Sequence, residues 1–348
     1  MTAFLEVRDL KCHYPQHQQK INGHYPPVKA VDGVSFSLNA GEVLGIIGES
    51  GCGKSTLGRL LVQLDKPTGG EMLLDGQNTI DLCRKDAKAF RRTCQMVFQN
   101  PFDAFNPRFK LIKSMKRPLM VHGIGKDDAE RTKLCVEILE AAGMRPALDY
   151  LDRFPHELSG GQLQRLSILR SMMLHPRLLV ADEPVSMLDV SVRAEVMDLL
   201  EDLKARYHMS MVFISHDIAT TRVIADKVAV MYLGHIVEIG ETDEVIQSPR
   251  HPYTKALISN CGTLDTEGFH PIQISGEPPV PIGQAPGCGF APRCWLTCPR
   301  CTEKDPVYTE VSPGHLVACA CLDQIMKGMH RIWKLKNIYP ACLTARRL

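Results

Sequence analysis

The sequence predicts an α/β fold in which a largely parallel sheet is covered by helices on both faces. Three short apolar runs, at residues 43–47, 178–181 and 211–215, have the length and composition of buried strands. Apolar residues at helical spacing follow the first run, and another such stretch separates the second run from the third. Strands that alternate with helices form parallel sheets, because a helix makes each crossover between neighbouring strands.

Two further regions show different patterns. Residues 4–44 contain alternating apolar and polar positions, which is typical of antiparallel strands, and the polar residues 17–27 predict a loop between these strands. Residues 108–174 have mainly helical spacing of their apolar side chains. The sequence therefore predicts an antiparallel β region at the start of the chain and a helical region inserted between the buried strands.

Length and composition narrow the class of protein. The chain has 348 residues, of which 44% are hydrophobic and 23% charged, as expected for a folded protein of about two domains. Its net charge of +2 gives no reason to expect nucleic acid as a partner. No apolar run reaches the roughly 18 residues of a membrane helix, and no signal peptide is visible. We expect a cytosolic chain that can dock on a membrane protein.

The composition changes towards the C-terminus, where proline and glycine crowd residues 274–292. The predicted divisions are a main domain (1–255) with a helical subdomain (about 100–175), a cysteine-rich extension (256–322) and a tail of unassigned role (323–348). Six of the 13 cysteines cluster in the extension, at Cys288, Cys294, Cys298, Cys301, Cys319 and Cys321. In a reducing compartment such clustering indicates metal binding more often than disulfides.

A phosphate-binding loop is predicted between the first buried strand and the helix that follows it. Residues 48–55 fit the pattern G-x-x-x-x-G-K-[ST], in which glycines allow backbone N–H groups to point at phosphate oxygens. Lys54 is expected to reach the outer phosphates and Ser55 to ligate Mg²⁺. A glycine turn with a chance Lys-Ser pair is the alternative, which the flanking strand and helix disfavour. The predicted binding residues are Gly48, Glu49, Ser50, Gly51, Cys52, Gly53, Lys54, Ser55 and Thr56.

Two carboxylates, Asp182 and Glu183, follow directly after the second buried strand. The carboxyl ends of parallel strands lie at the edge of the sheet where ligands bind. Asp182 is then expected to hold Mg²⁺, and Glu183 to orient or deprotonate an attacking water. Standing alone, this pair would be interpreted as a solvated strand end. The phosphate-binding loop upstream favours the catalytic interpretation.

A second anion-binding helix start is predicted at residues 158–162, Leu-Ser-Gly-Gly-Gln. Ser159 fits a helix N-cap, and Gly160 and Gly161 leave backbone N–H groups uncovered. An ordinary serine-capped helix is an equally good interpretation of these residues alone.

These motifs together resemble those of ATP-binding cassette (ABC) ATPases, in which the signature motif lies between the phosphate-binding loop and the Asp-Glu strand. Ser159, Gly160, Gly161 and Gln162 resemble that signature, Gln99 the Q-loop glutamine and His216 the switch histidine. Residues 186–189 resemble the D-loop. The resemblance implies an ABC-type P-loop nucleotide-binding domain with a RecA-like parallel core, an antiparallel β subdomain and a helical subdomain.

The same resemblance implies roles for individual residues. Glu183, His216 and Gln99 are expected to be catalytic, with Gln99 also contributing to the Mg²⁺ site. Tyr14 resembles the aromatic residue that stacks on adenine, although Tyr25 is an alternative. In this family the signature faces the phosphate-binding loop of a partner, and the chain contains each motif once. It is therefore expected to need a second ATPase subunit.

The spacing of the clustered cysteines, C-x5-C-x3-C-x2-C-x17-C, suits either zinc or an iron–sulfur cluster. The sequence around Cys288, Cys294, Cys301 and Cys319 resembles the C-terminal extension of oligopeptide and dipeptide importer ATPases, which implies that these four hold a [4Fe-4S] cluster. Cys298 and Cys321 are additional and leave the ligand set open.

The resemblance extends to F-type subunits of this family and implies their partners. These are a D-type ATPase paralogue, two transmembrane permease subunits and an external peptide-binding protein, with the ATPase on the cytoplasmic face of the cell (inner) membrane. The expected function is ATP-driven import of dipeptides or oligopeptides. The alternatives are a soluble regulatory ABC ATPase, an importer of nickel or another small solute, and an electron-transfer role for the cysteine region.

Overall fold

The computed structural model describes residues 3–21, 23–261, 271–283 and 286–325, which form two β-sheets surrounded by helices. In chain order the strands are β1 (Leu5–Tyr14), β2 (Val28–Leu38), β3 (Val43–Ile47), β4 (Gly69–Leu74), β5 (Gln77–Asn78), β6 (Cys94–Val97), β7 (Leu178–Asp182), β8 (Ser210–Ser215), β9 (Lys227–Tyr232), β10 (His235–Glu241), β11 (Tyr308–Ser312) and β12 (His315–Ala318).

The α-helices connect these strands and also form the helical region. In chain order they are α1 (Lys54–Leu61), α2 (Thr79–Lys85), α3 (Ala87–Thr93), α4 (Leu111–His122), α5 (Asp128–Ala141), α6 (Ala147–Leu151), α7 (Gly160–Met172), α8 (Val190–Tyr207), α9 (Ile218–Ile224), α10 (Thr242–Gln247) and α11 (Pro252–Ser259). Short 3₁₀ helices occur at Pro101–Ala104, Pro155–Glu157, Ala291–Arg293 and Pro299–Thr302.

The smaller sheet is antiparallel and has the strand order β2-β1-β4-β5. Strand β1 pairs with β2 along nearly its whole length, and its other edge pairs with β4. One face of this sheet packs on the strands and helix of the main domain, with Leu5, Leu10, Val34 and Leu38 almost fully buried. This confirms the antiparallel β region that the sequence predicts.

The larger sheet has the strand order β11-β12-β10-β9-β3-β8-β7-β6. Strands β9, β3, β8, β7 and β6 are parallel to one another, and all residues of β3, β7 and β8 are buried. Helix α1 packs against β7 and β8, whereas the core on the opposite face includes residues of α7 and α8. The predicted parallel sheet covered on both faces is confirmed.

The cysteine-rich extension contributes two strands to this sheet. Strands β11 and β12 form an antiparallel pair, and β12 pairs with β10, so that Ile239 is opposite Leu316. The proline and glycine content of this region predicts loops and gives no sign of these two strands. The edge of the main sheet thus positions the extension against the domain that carries the phosphate-binding loop.

A buried ionic cluster reinforces this junction. The His315 side chain is fully buried, with Nε2 2.8 Å from Glu238 Oε1 and Nδ1 3.3 Å from Glu244 Oε1. Glu238 also accepts hydrogen bonds from the backbone N–H groups of Arg250 and His251. Burial lowers the pKa of His315, but the two carboxylates outweigh it, and the net pKa is raised above 6.5.

No helix within the described residues has both the length and the hydropathy that crossing a membrane requires.

We predict that the His315 cluster makes stability depend on pH. Because the folded pKa of His315 is raised, its contribution is complete below about pH 6.5 and is lost as the pH rises through that raised pKa. The variant His315→Gln should be destabilised by about 3 kcal/mol at pH 6 and should lose less stability on going to pH 9. Chemical denaturation at both pH values measures this difference. The exposed His24→Gln serves as control, and equal pH slopes in His315→Gln and the unaltered chain would contradict the prediction.

Candidate active site

The phosphate-binding loop lies between β3 and α1 and is pressed against neighbouring backbone. Gly48 and Gly53 have φ angles of 156° and 105°. A Cβ atom at Gly48 would lie 2.2 Å from the carbonyl oxygen of Met231, and one at Gly53 would lie 2.0 Å from that of Ala30. Only glycine fits at these two positions, because both the backbone conformation and the available space exclude a side chain.

Lys54 is buried and folds back over its own loop. Its Nζ atom donates hydrogen bonds of 2.8 Å to the Gly48 carbonyl and 2.9 Å to the Glu49 carbonyl. These contacts satisfy a buried ammonium that would otherwise be costly to desolvate. Phosphate oxygens are stronger acceptors than carbonyls because the hydrogen bonds are charge-assisted. The predicted role of Lys54 therefore fits its position in the loop.

Ser55 and Asp182 meet beneath this loop, as the predicted Mg²⁺ site requires. Ser55 Oγ donates a 3.0 Å hydrogen bond to Asp182 Oδ1. Burial raises the pKa of Asp182 and the neighbouring Glu183 raises it further, whereas the bond from Ser55 opposes this shift. A buried carboxylate beside a hydroxyl fits Mg²⁺, which prefers oxygen ligands and would offset the desolvated negative charge.

The three predicted catalytic residues meet in the structure, with two of them, Gln99 and His216, contacting the carboxylate of the third, Glu183. Gln99 Nε2 donates a 3.0 Å hydrogen bond to Glu183 Oε2, and His216 Nδ1 lies 3.2 Å from the same oxygen. The Glu183 side chain is 14% exposed, whereas His216 is more than half exposed. Gln99, which was also a predicted Mg²⁺ ligand, is thus placed with the candidate general base. This arrangement suits the orientation and deprotonation of a water.

The backbone at Glu183 turns sharply where strand β7 ends. Its φ angle is 45°, its N–H donates to the Ile214 carbonyl at 2.9 Å, and its own carbonyl accepts a bond from Ser186 Oγ at 3.1 Å. The left-handed conformation is uncommon for a residue with a side chain and occurs often at functional sites. It directs the chain from β7 into the D-loop at residues 186–189.

An open cavity of about 890 Å³ joins these groups. From the predicted set it is lined by Ser50, Gly51, Gly53, Lys54, Ser55, Thr56, Gln99, Glu183 and His216. Its volume is within the range of small-molecule binding sites. The structure therefore brings the phosphate-binding loop and the candidate catalytic residues to one cavity.

Part of the cavity lining comes from a segment that the sequence motifs did not assign to the site. It consists of residues 277–281, Glu-Pro-Pro-Val-Pro, which we call the proline segment. The Pro281 carbonyl accepts a 2.9 Å hydrogen bond from the Lys29 N–H at the start of β2. The only sequence signal was the high proline content, which predicts a loop and says nothing of where the loop docks.

The two candidate adenine-stacking residues lie outside the described lining of this cavity. Tyr14 ends β1, and its hydroxyl donates a 2.8 Å hydrogen bond to Asp65 Oδ2. Tyr25 is about half exposed, and its ring lies 5.6 Å from that of His17. Tyr14 is opposite Val28, which does line the cavity, so it lies one strand away from the site.

The predicted signature begins helix α7 at a distance from the cavity. Ser159 Oγ accepts a 3.2 Å hydrogen bond from the Gln162 N–H, and the Ser159 N–H donates to Gln162 Oε1 at 3.1 Å. A Cβ atom at Gly161 would lie 2.1 Å from Val192 of α8, so close packing of helices requires glycine there. The signature is absent from the described lining of the cavity. Within this chain, the two predicted anion sites are therefore separate.

Two of the clustered cysteines are covalently joined, which the sequence analysis did not predict. Cys298 and Cys321 form a disulfide, and Cys301 Sγ lies 3.4 Å from Cys321 Sγ. The three sulfur atoms lie within 4.8 Å of one another. Metal ligands are thiolates, so Cys298 and Cys321 cannot act as ligands while they are bonded to each other.

The four cysteines predicted to hold a cluster all carry free thiols, namely Cys288, Cys294, Cys301 and Cys319. Burial, followed by repulsion from neighbouring thiolates, raises the pKa of Cys294 to about 11 and that of Cys319 to about 12. The repulsive partners of Cys319 are the other three cysteines, but within the described residues no three of these four sulfur atoms lie within 4.8 Å of one another. A bound metal would replace the protons that such thiols hold at neutral pH, and the donor set fits a thiolate-bound group.

Comparison with known proteins identifies the family. Residues 31–186 match the ABC transporter family, and residues 237–301 match the family of the oligopeptide/dipeptide transporter C-terminal region. The oligopeptide transport ATP-binding protein AppF of Bacillus subtilis (strain 168) is 44% identical over 321 residues, which cover 91% of this chain and 97% of AppF. The chain belongs to the oligopeptide/dipeptide branch of the ABC ATPases.

Further relatives of this ABC ATPase support the assignment. The dipeptide transport ATP-binding protein DppF of Escherichia coli (strain K12) is 44% identical over 324 residues, covering 92% of this chain and 95% of DppF. Among solved structures, the cassette MJ0796, a dimer in a post-hydrolysis state bound to ADP and Pi, is 27% identical with a TM-score of 0.60. The match covers 68% of this chain and 98% of MJ0796. Fold and relatives agree with the family that the motifs predicted.

We predict that Glu183→Gln retains ATP binding but loses turnover. Glutamine preserves the size and hydrogen bonding of the side chain but cannot accept the proton of the attacking water, so kcat should fall by about 10²- to 10⁴-fold. Phosphate release and ATP binding by the purified assembly measure the two effects. The exposed Glu201→Gln on α8 is the matched control. Normal hydrolysis by the Glu183→Gln assembly would refute the assignment.

Proposed function

We propose that this chain is the ATP-hydrolysing subunit of a membrane importer for dipeptides or oligopeptides. The observation that carries the proposal is the Glu183 centre beside the Ser55–Asp182 pair, in one chain with a C-terminal region of the oligopeptide/dipeptide transporter type. The relatives AppF and DppF are oligopeptide and dipeptide transport ATP-binding proteins, which supports peptides as the cargo.

ATP hydrolysis follows from the chemistry of these residues. The phosphate-binding loop and Lys54 accept the phosphates, with Lys54 exchanging loop carbonyls for phosphate oxygens. Glu183 takes a proton from the water whose oxygen attacks the γ-phosphorus, while the bond to the leaving ADP oxygen breaks. Gln99 and His216 hold the Glu183 carboxylate in place. Mg²⁺, when bound by Ser55 and Asp182, supplies positive charge that offsets the phosphates.

A second ATPase subunit completes the site in this proposal. The signature at residues 159–162 lies outside the described lining of the cavity, and Ser159 at its start is exposed. Its helix start can therefore meet the nucleotide of a neighbouring subunit. We propose a D-type paralogue as that neighbour, with ATP between the two chains and hydrolysis allowing them to separate. Tyr14 remains the proposed adenine-stacking residue.

The remaining partners follow from the importer function. We propose that the ATPase pair binds two transmembrane permease subunits at the cytoplasmic face of the cell membrane, and that an external binding protein delivers the peptide. The chain itself has no contact with the cargo in this arrangement. Cargo identity is therefore assigned from its relatives alone.

In the extension, we propose that Cys288, Cys294, Cys301 and Cys319 hold a [4Fe-4S] cluster, with zinc as the alternative. The support is that all four are free thiols, that the other three raise the pKa of Cys319 by charge repulsion, and that the Cys298–Cys321 disulfide removes the two competing ligands. Cys319 follows directly after β12, which pairs with β10 of the main sheet, and this position supports a structural role over electron transfer.

Purification with partners tests the proposed importer. A tagged chain, extracted from membranes in mild detergent, should bring two permease subunits and a second ATPase with it. The ATPase rate of that complex should rise when peptide and its binding protein are added. Recovery of the chain free of membranes and without permeases would favour a soluble regulatory ATPase instead.

The cysteine assignment predicts different outcomes for two neighbouring substitutions. Cys319→Ser should lose bound iron or zinc, because a proposed thiolate ligand is removed. The matched variant Cys321→Ser should retain the metal, because the Cys321 sulfur is bonded to Cys298 and is not a proposed ligand. Elemental analysis and the visible absorbance of the purified protein measure both the amount and the identity of the metal. Loss from Cys321→Ser with retention by Cys319→Ser would assign the site to Cys298, Cys301 and Cys321.

A further inference from the structure

A side chain of the cysteine-rich extension reaches the phosphate-binding loop. Arg293 ends the 3₁₀ helix Ala291–Arg293 and immediately precedes Cys294. Its Nη1 atom lies 2.8 Å from Glu49 Oε2, and its Nη2 atom lies 3.2 Å from Glu49 Oε1. The guanidinium therefore binds both oxygens of a carboxylate that belongs to the loop, which is the geometry of the stronger ion pairs.

This ion pair is mostly removed from water. The Arg293 side chain is 8% exposed and that of Glu49 is 24% exposed. Arg293 also donates to the Tyr232 hydroxyl at 3.3 Å and, through Nε, to the Ser275 carbonyl at 3.4 Å. An ion pair at the surface contributes little to stability, because solvent and salt screen it. In a desolvated pair, removing one partner is costly, because the other charge is left buried without its partner.

The backbone of Glu49 is fixed by the same part of the chain. Its N–H donates a 2.8 Å hydrogen bond to the hydroxyl of Tyr253 on α11. The Phe290 ring packs 5.3 Å from the rings of both Tyr253 and Tyr232. Thus Arg293 binds the side chain of Glu49, and Tyr253 binds its backbone. Phe290 packs against both Tyr253 and Tyr232 and so connects these two contacts.

We propose that Arg293 is a positioning residue for ATP binding, which neutralises Glu49 and orients it away from the incoming phosphates. Without Arg293, an uncompensated carboxylate would remain in the loop that receives a triphosphate, and like charges in a poorly solvated site repel strongly. Glu49 is followed by Ser50 and Gly51, which line the nucleotide cavity. A shift at Glu49 is therefore transmitted directly to groups that face the ligand.

Arg293 also contacts the chain close to the proline segment. Its contact with the Ser275 carbonyl lies two residues before the proline segment at 277–281, which lines the nucleotide cavity. One side chain thus contacts both the phosphate-binding loop and the residues that lead into the proline segment. The extension contributes to the nucleotide site of its own subunit through this residue.

The test compares ATP binding by four versions of the full chain in its assembly. These are the unaltered chain, Arg293→Gln, the double variant Arg293→Gln/Glu49→Gln, and the control Arg300→Gln. Arg300 lies in the same extension and pairs with Asp323 at 2.6 Å, but that pair is exposed and lies outside the nucleotide cavity. Dissociation constants come from titration with a fluorescent ATP analogue in EDTA, and KM and kcat from phosphate release with Mg²⁺.

We expect Arg293→Gln to raise the dissociation constant and KM for ATP about tenfold, with kcat within about twofold of the unaltered chain. The double variant should recover most of the lost affinity, because removing Glu49 removes the repulsive charge, and coupled neighbours are non-additive. Arg300→Gln should bind ATP normally.

Two results would overturn the proposal. The first is ATP binding by Arg293→Gln that equals that of Arg300→Gln. The second is a double variant as weak as Arg293→Gln, which would mean that Arg293 only stabilises the extension. Melting temperature and metal content are measured for every variant. Should Arg293→Gln fail to fold, Arg293→Lys replaces it, since the positive charge without the two-pronged geometry should give an intermediate dissociation constant in the folded protein.

Discussion

The candidate active site depends on the parallel pairing of β3 with β8 and of β8 with β7. Because parallel strands end at the same edge of a sheet, this pairing brings the phosphate-binding loop after β3, the carboxylates after β7 and His216 after β8 into contact. The Ser55–Asp182 bond and the contact of His216 with Glu183 are direct consequences. Every residue of the three strands is buried, so the apolar core fixes the relative positions of the reacting groups.

At this edge of the sheet, the Lys54 ammonium and the Asp182 carboxyl group can each pair with a ligand group of opposite charge. The Lys54 ammonium is held by two loop carbonyls, and the Asp182 carboxyl has a raised pKa in its buried position. A nucleotide with its metal ion supplies better partners to both groups than the loop itself does. The helix start at Ser159 is separate and exposed, which leaves it available to a neighbouring subunit.

The C-terminal extension is built into this arrangement rather than attached beside it. Strand β12 joins β10 at the sheet, and the buried His315–Glu238 pair lies at that junction. Arg293 and Tyr253 then hold the side chain and the backbone of Glu49. The region that matches the oligopeptide/dipeptide transporter C-terminal region thus forms part of the support of the phosphate-binding loop.

The sequence by itself determined the parallel core and indicated the candidate reacting groups, because the phosphate-binding loop is contiguous and buried strands have an apolar pattern that is local. Resemblance, and not spacing, selected Cys288, Cys294, Cys301 and Cys319 as candidate cluster ligands, and this selection stays a prediction. Only the tertiary structure decided the Arg293–Glu49 pair, whose members are 244 residues apart, the docking of the proline segment and the Cys298–Cys321 disulfide. Contacts of this kind depend on how distant segments pack, and no local pattern of side chains encodes them.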